Sequence, residues 1–341
     1  HAFYDCTSIE TVRFLGAVPP TTNGTSIFYY MSSLKTIYIP QGTYQAYSSA
    51  YGTGINAGVT LKEEGSGDFI ITDGELVSYT GTDTEVTIPD NVTGIGLGAF
   101  RNNTTIQKVI IPAGVTSIGK YAFTNCTALQ EAAYEENSRL ESIGESAFSG
   151  CTALERTELP ERLTELGAYA YNNCGKLNMS MELPEGLTTI KAYTFNGCRN
   201  LTGALKLPKN IETIGNYAFS SCSGLSGDLT IPDSVTGIGE GAFQNCSGFD
   251  GTLKLSENLT KINTYTFSEC SGITGEVEIP AKVKSLEYRS FSGMKKITAV
   301  TIGEGMESVY TSTNLYHAFY DCTSIETVRF LGAVPPTTNG T

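Results

Sequence analysis

The residues best suited to chemistry in this 341-residue chain are nine cysteines, which all occupy one position of a repeated motif. Several copies of the motif read AFxxC, and the cysteines stand at Cys6, Cys126, Cys151, Cys174, Cys198, Cys222, Cys246, Cys270 and Cys322. Their number is odd and no CxxC pair occurs, so neither a disulfide framework nor a zinc site is indicated. Because free cysteine is among the most buried residue types, the pattern predicts a ladder of buried thiols.

The two histidines offer little catalytic or metal-binding chemistry, because His1 and His317 are the same position in two copies of one segment. A single independent histidine position cannot supply both a catalytic triad and a metal site. In register it replaces a tyrosine that recurs at Tyr121, Tyr169, Tyr193, Tyr217 and Tyr265. We expect the histidine on the surface and the tyrosines stacked as an aromatic ladder.

Carboxylates are frequent, and Glu158 and Glu182 stand one repeat apart. Such a pair could share a proton or hold a cation, but more often it is solvated and mildly repulsive. An organised set of acid, base and nucleophile is not evident. The glycines of TGIGLGAF, at 93–100, fit repeat turns better than a phosphate loop. We therefore predict a non-enzyme with no catalytic residues, no metal site and no cofactor.

The elements that position these residues follow a period of about 24. Successive aromatic anchors from Phe100 to Phe319 are separated by 23 to 28 residues. The unit LTGALKLPKNIETIGNYAFSSCSGL (201–225) predicts a strand at 204–207, ended by Pro208, and a helical turn or tight bend at NYAFSSC. A unit this short cannot bury its own apolar face, so stacked units with parallel strands are expected. We expect Ile111, Leu159, Leu183, Leu207, Ile231, Leu255 and Ile279 to point inward.

The repeated pattern LxxVxIPxxVTxIGxxAFxxC resembles the BspA-like, or Treponema-type, leucine-rich repeat of bacterial surface proteins. The stretches VTIPDNVTGIGLGAF (86–100) and VIIPAGVTSIGKYAFTNC (109–126) carry the resemblance with few departures. It implies an α/β repeat solenoid, a right-handed superhelix with a parallel β-sheet on its concave face. It also implies an extracellular or cell-surface location and attachment to host or neighbouring-cell proteins.

Two arrays are expected, divided near residue 65. The segment HAFYDCTSIETVRFLGAVPPTTNGT occurs identically at 1–25 and 317–341. This match indicates either a recent tandem duplication or a sequence cut across one. In residues 1–64 we expect terminal repeats, a last strand in LKTIYIP (34–40) and a closing cap in QGTYQAYSSAYG. In residues 65–341 we expect a second array, capped by a hairpin at 69–81 with its turn at Asp73 and Gly74, and truncated at its C-terminus.

The two identical segments indicate that the second array ends without its closing cap. The strand at 326–330 would present an uncovered edge, and exposed edges recruit strands from other chains. Either the protein continues with a sequence close to SIFYYMSSLKTIYIP, or residues 26–64 of another copy cover this end. The second alternative would be a head-to-tail self-association.

Composition excludes some classes of partner. The formal charge is −13, and there is no basic stripe to attract nucleic acid. No run of about 18 apolar residues occurs, so direct membrane insertion is not expected.

The outward-facing positions of the predicted concave sheet form one column whose residue type changes from repeat to repeat. A variable surface on a rigid scaffold favours binding or adhesion to a protein ligand. A structural spacer that projects another module, or a glycan-binding module, are the alternatives. The column reads Thr87, Ile110, Ala133, Glu158, Glu182, Lys206, Thr230, Lys254, Glu278, Thr301 and Arg329, and we take its part from Glu158 to Glu278 as the candidate ligand-binding site.

Overall fold

The structure is a computed structural model that describes residues 7–14, 19, 28, 31–40, 43–51, 58–64, 68–306 and 318–332. The first part of the chain holds β1 (Thr11–Arg13), β2 (Thr36–Pro40), α1 (Tyr44–Tyr51) and β3 (Thr60–Glu64). The second part holds β4 (Phe69–Thr72), β5 (Glu75–Tyr79), β6 (Glu85–Thr87), β7 (Gly94–Ile95), β8 (Lys108–Ile111), β9 (Ser117–Ile118), β10 (Glu131–Tyr134), β11 (Ser142–Ile143), β12 (Glu165–Leu166), β13 (Thr189–Ile190), β14 (Thr213–Ile214), β15 (Leu229–Thr230), β16 (Gly237–Ile238), β17 (Leu253–Lys254), β18 (Lys261–Ile262), β19 (Thr274–Ile279), β20 (Ser285–Leu286), β21 (Lys296–Ile302) and β22 (Thr327–Phe330).

The strands form a parallel solenoid, which confirms the predicted repeat fold. Each turn of the solenoid, called a rung below, contributes to two sets of strands. The first set comprises β6, β8, β10, β15, β17, β19, β21 and β22. The second set comprises β7, β9, β11, β12, β13, β14, β16, β18 and β20. Among the described residues, all the strand pairs apart from the hairpin β4–β5 are parallel, as expected when equivalent segments of successive repeats stack.

Aromatic anchors fill the centre of the solenoid. The rings from Phe100 to Phe319 stack with centroid distances of 4.7–5.6 Å and nearly parallel planes. These distances lie close to the strand spacing of about 4.8 Å, so the rings repeat with the backbone. Burying one such side chain contributes roughly 1.5–3 kcal/mol relative to leaving it exposed. The anchors therefore bind each rung to its neighbours.

The inward register is largely as predicted. Ile111, Leu183, Ile231, Leu255 and Ile279 are buried. Leu159 and Leu207 pack against the same core but are only partly buried. The motif around the phenylalanine is a tight bend, one of the two predicted alternatives. The predicted strand at 204–207 is shorter than expected, because only an isolated bridge from Lys206 to Glu182 pairs it in its ladder position.

The hairpin prediction is also confirmed. β4 and β5 are antiparallel, with Thr72 opposite Glu75 across a two-residue turn. Asp73 and Gly74 both have positive φ, of 50° and 81°, as a type I′ turn requires. β5 then pairs in parallel with β7, so the hairpin covers the first rung of the second strand set.

The first part of the chain corrects one prediction and adds a helix that was not predicted. The segment LKTIYIP does not hold the last strand, because β3 follows and pairs with β2 along its whole length. The segment QGTYQAYSSAYG contains the helix α1, which was not anticipated because the stretch lacks an apolar helical period. Tyr47 of α1 is fully buried and its ring lies 5.2 Å from that of Phe14. The helix thus covers this small core.

Two hydrophobic clusters lie on either side of residues 65–67, one ending at Leu61 and the other beginning at Phe69. The backbone N–H of Asp73 donates to the Tyr44 hydroxyl across this junction, at 3.1 Å. The division of the chain near residue 65 remains a proposal. At the other end, β22 pairs with β21, and Val328 and Phe330 are about half exposed.

Candidate binding surface

The predicted column lies on the first set of strands, and we call it the variable column. Strand register places Thr87 beside Ile110, Ile110 beside Ala133, Thr230 beside Lys254, and Glu278 beside Thr301 and then Arg329. A bridge places Glu182 beside Lys206. The six candidate residues, Glu158, Glu182, Lys206, Thr230, Lys254 and Glu278, are all exposed.

Opposite charges pair within this column. The Lys206 Nζ lies 3.0 Å from Glu182 Oε2, and about two thirds of each side chain remains exposed. Glu182 is therefore paired with a cation and not with Glu158, the carboxylate partner that the sequence allowed. Among the described residues, Glu158 itself has no ion pair or hydrogen bond. The column presents charges of mixed sign in place of a carboxylate dyad.

Similar inter-rung ion pairs occur elsewhere and were not predicted. Glu131 accepts from Lys108 at 3.0 Å and from Arg156 at 2.7 Å, which links three consecutive rungs. On the second set of strands, Lys191 lies 2.6 Å from Glu165. The sequence signal for such an ion pair is a lysine and a glutamate spaced by one repeat length. Many residues with this spacing do not pair, so the signal is weak. Such exposed pairs contribute only about 0–1 kcal/mol each.

The column on the second set of strands has a different character. Its register runs through Gly94, Ser117, Ser142, Glu165, Thr189, Thr213, Gly237, Lys261 and Ser285. Seven of these nine residues are glycine, serine or threonine. The variable column, in contrast, carries six charged residues among eleven. Chemical diversity is thus concentrated on one side of the solenoid.

The cysteine ladder is confirmed for the described residues. Seven thiols from Cys126 to Cys270 are buried and free, and Cys322 is partly buried; Cys6 lies outside the described residues. Each thiol donates to the carbonyl of an aromatic anchor in the preceding rung, as Cys222 does to Phe195 at 3.1 Å. Burial raises the pKa of Cys174 and of Cys246 to about 12. The ladder therefore holds neutral thiols that stabilise the stack.

The tyrosine ladder is only partly as predicted. Tyr169, Tyr193 and Tyr217 stack at 4.6 and 5.1 Å. Tyr121 is separated from this stack by Ser146, which occupies the same register and has no ring. Tyr265 is separated from it by a glycine and instead meets Tyr288 edge to face.

The recurring tyrosines share an uncommon backbone conformation. The φ of Tyr193 is 57° and that of Tyr217 is 53°, and Gly241 has the same sign in the same register. A Cβ at Gly241 would collide with the ring of Tyr217. Because that space is free, the Tyr217 hydroxyl reaches Glu240 and donates to it at 2.6 Å. This hydrogen bond, with burial, raises the pKa of Tyr217 to about 12.

Three hydroxyl groups close to Glu158 escaped the sequence analysis. Tyr134, Thr157 and Tyr171 stand where other rungs place apolar side chains, and their hydroxyl oxygens are buried without a hydrogen-bond partner. The sequence signal was present, since Tyr171 is the single tyrosine among the anchors from Phe100 to Phe319. Because a tyrosine also fits a core position in size, the substitution alone does not indicate a polar group of this kind.

His1 and His317 lie outside the described residues, so their predicted surface placement stays a prediction. In the part of the chain that the structure describes, no three His, Cys, Asp or Glu side chains are grouped so as to hold a metal ion. No helix of that part is long and apolar enough to cross a membrane.

Comparison with known proteins gives the following similarities. Solved structures similar to this chain include a leucine rich cell surface protein from Faecalibacterium prausnitzii A2-165, with 23% identity, a TM-score of 0.37 and coverage of 78% of this chain and 93% of that one. The pneumococcal vaccine antigen PcpA has 19% identity and a TM-score of 0.43, covering 76% and 81%. The T. pallidum leucine rich repeat protein has 21% identity and a TM-score of 0.36, covering 75% and 86%. None of the curated proteins matches the chain.

A family model gives the assignment. The model described as BspA type leucine rich repeat region matches six copies, over residues 1–57, 78–202 and 188–326. These ranges include the stacked anchors, the thiol ladder and the variable column from Thr87 to Thr301. The chain belongs to the BspA type leucine-rich-repeat family.

Proposed function

We propose that this chain is a non-catalytic binding segment of a bacterial surface or secreted protein, and that it contacts protein partners through the variable column. The observation that carries the proposal is the contrast between the two columns. Residues of the variable column change in size and charge from rung to rung, whereas the second column is mostly glycine, serine and threonine. Variation confined to one exposed side is the arrangement expected of a recognition surface.

The scaffold beneath the column supports this role. Anchor rings, thiol-to-carbonyl hydrogen bonds and strand ladders fix each rung against the next. A surface held in this way loses little conformational freedom when a partner binds. Such preorganisation increases affinity without further contacts.

The charges of the column favour specificity over general attraction. Glu182 and Lys206 pair with each other, and Lys254 and Glu278 present opposite signs on following rungs. A partner must match this order of charges along the solenoid. Complementary charges of this kind mainly select partners and set association rates.

Catalysis has less support. Glu182 is paired with Lys206, and the described carboxylates of the column form no pair that could act as acid and base. The buried thiols have raised pKa values, which is the opposite of what a nucleophilic cysteine requires. Sugar stacking on the tyrosine ladder is also disfavoured, because the faces of Tyr169, Tyr193 and Tyr217 cover one another.

A binding screen tests the proposal and separates it from the spacer alternative. The immobilised chain is exposed to an array of purified secreted and cell-surface proteins, and each interaction is measured by biolayer interferometry at physiological salt. The test variant removes Glu182 and Lys206 together, as serines. Charge reversal would recreate the ion pair, so removal is the sharper change. The matched control, Glu165→Ser with Lys191→Ser, removes an equivalent pair from the second set of strands.

We expect at least one protein to bind the unchanged chain. The column variant should bind it about tenfold more weakly, a difference of about 1.4 kcal/mol, and the control should bind it normally. Both variants should keep the melting temperature of the parent, since exposed pairs contribute about 1 kcal/mol or less. Equal loss in the two variants would contradict the assignment of the surface. Failure of every protein to bind would favour the spacer.

A further inference from the structure

A group of hydroxyls interrupts the apolar core between two neighbouring rungs. Tyr134 lies opposite Ile111 in the inward register of the first strand set. Arg156 bridges to Glu131 of the preceding rung. The next residue, Thr157, therefore lies in the same register as Ala132 and Val109. Tyr171 stacks between Phe148 and Phe195 in the anchor column. Three adjoining inward positions thus carry oxygen atoms where the other rungs carry hydrocarbon.

These oxygens are buried and have no hydrogen-bond partner among the described residues. Tyr171 is fully buried, and its hydroxyl lies near those of Tyr134 and Thr157 without forming a hydrogen bond of ordinary length to either. Burial raises the pKa of Tyr134 and of Tyr171 well above the ordinary value for tyrosine. A buried hydroxyl without a partner costs about 1–3 kcal/mol. Three of them in one place therefore mark a departure from the otherwise apolar core.

Tyr134 and Thr157 line a crevice at the surface, although their hydroxyl oxygens are themselves buried. One depression of about 300 Å³ is lined by Ala132, Ala133, Tyr134, Thr157 and Glu158, among others. A second depression, of about 610 Å³, shares Tyr134 and Glu158 with the first. We call the two together the Tyr134 crevice. The crevice lies on the variable column, since Ala133 and Glu158 line the crevice and are also members of the column.

The backbone at the crevice is also available for bonding. Arg156 is bonded to the preceding rung through Gln130 and Ala132. Within the described residues, no backbone hydrogen bond joins positions 157–159 to either neighbouring rung. Peptide groups of this segment can therefore bond to an occupant of the crevice.

Charge indicates what kind of occupant fits. Five glutamates (Glu131, Glu135, Glu136, Glu158 and Glu161) and two arginines (Arg156 and Arg162) line the crevice, which leaves three negative charges in excess. Glu131 is already held by Lys108 and Arg156. The carboxylate of Glu158 is unpaired in the described chain and stands where both depressions meet.

We infer that the Tyr134 crevice receives a lysine or arginine side chain from an extended segment of a partner protein. The inference rests on the proposed protein-binding function and names the chemistry of the partner. The apolar stem of the incoming side chain covers Ala132, Ala133 and the Tyr134 ring, as such stems commonly cover apolar surface. Its charged end meets the Glu158 carboxylate and, after a small rotation of the partly buried Tyr134 side chain, donates to the Tyr134 hydroxyl, which bonds to a cationic group as an acceptor.

Peptide binding tests this inference directly. The probes are fluorescein-labelled tetralysine and the same peptide with every side chain acetylated, titrated against the whole chain by anisotropy at 150 mM salt. The acetylated peptide keeps the length and stem but lacks the charge. The variants are Glu158→Gln in the crevice, Tyr134→Phe, and the matched control Glu212→Gln, which removes an exposed carboxylate directly before β14 of the second set of strands.

We expect tetralysine to bind and the acetylated peptide not to bind. Glu158→Gln should weaken tetralysine binding about tenfold, in line with the strength of hydrogen bonds between charged groups, and Glu212→Gln should leave it unchanged. Tyr134→Phe should weaken binding severalfold while keeping or raising the melting temperature, a combination that a purely structural role of the hydroxyl would not give.

Three results would overturn the inference. Equal weakening by Glu158→Gln and Glu212→Gln would show general attraction to an acidic chain. Absence of tetralysine binding at millimolar concentration would show that the crevice does not hold a basic side chain. Full displacement by equimolar spermine would indicate a site for small amines in place of a protein segment. In each case, retained binding in the protein array would leave the proposed function standing.

Discussion

Replacing one anchor ring should destabilise the solenoid far more than replacing an exposed residue of the variable column. Phe219 is fully buried, and its ring lies 5.5 Å from that of Phe195 and 5.4 Å from that of Phe243. A phenylalanine-to-alanine change in a core costs about 3–5 kcal/mol. Each aromatic pair contributes about 0.5–1.5 kcal/mol beyond burial. Two such pairs are lost, so we expect Phe219→Ala to fall in the upper half of the range, at about 4–5 kcal/mol.

The assay is guanidinium chloride unfolding followed by far-ultraviolet circular dichroism. Lys254→Ala is the exposed control and should cost less than about 0.5 kcal/mol. Phe219→Leu fills much of the cavity but removes both ring pairs, so it should cost less than Phe219→Ala, at about 1–3 kcal/mol. Because each rung contacts only its neighbours, the loss in Phe219→Ala should also make unfolding less cooperative. A difference below about 1 kcal/mol between Phe219→Ala and Lys254→Ala would refute the anchor stack as the main source of stability.

Three further predictions follow from particular contacts. Gly241→Ala should destabilise by about 1–3 kcal/mol, because it adds a Cβ at positive φ against a tyrosine ring, whereas Gly237→Ala, which meets open space, should be neutral in the same titration. Stability should fall as the pH rises from about 8.5 towards 12, because unfolded thiols ionise near 8.5 while Cys174 and Cys246 remain protonated to about 12; constant stability over this range would contradict the thiol ladder. Tyr171→Phe should leave thermal stability equal or higher, since it removes a buried hydroxyl without a partner, and a clear loss of stability would show that the hydroxyl is satisfied in the fold.

The fold was predictable because it follows from repetition. Once the 24-residue period and the AFxxC motif are recognised, the parallel ladder, the anchor stack and the buried thiols follow from the need to bury one apolar face per unit. The hairpin at Asp73 and Gly74 was predictable for a local reason, since this dipeptide favours the turn. In both cases short-range sequence signals and the global fold agree.

Elements that depart from the repeat were not predictable in the same way. The helix α1 depends on Tyr47 packing against Phe14, a contact that no local period signals. The tyrosine ladder breaks at Ser146 and Gly241 because stacking needs a ring in every rung. The pairing of Glu182 with Lys206 required the register to be known.

The candidate site was predictable in position but not in chemistry. The variable column follows from the strand period, and its six candidate residues from Glu158 to Glu278 are exposed as expected. The Tyr134 crevice was not foreseen, because its parts come from three inward positions that look like ordinary core substitutions. Only the structure places Tyr134, Thr157 and Tyr171 together behind Glu158.

Site-specific photocrosslinking tests the central claim, that protein partners bind the variable column, most directly. A photoreactive amino acid is placed at Thr230, an exposed threonine of the variable column, or at Thr213, an exposed threonine of the second set of strands. Each variant is illuminated with a protein that bound in the array, and the adducts are identified by mass spectrometry. We predict crosslinks from position 230 and few or none from position 213. Equal crosslinking from both positions, or crosslinking from position 213 alone, would contradict the account.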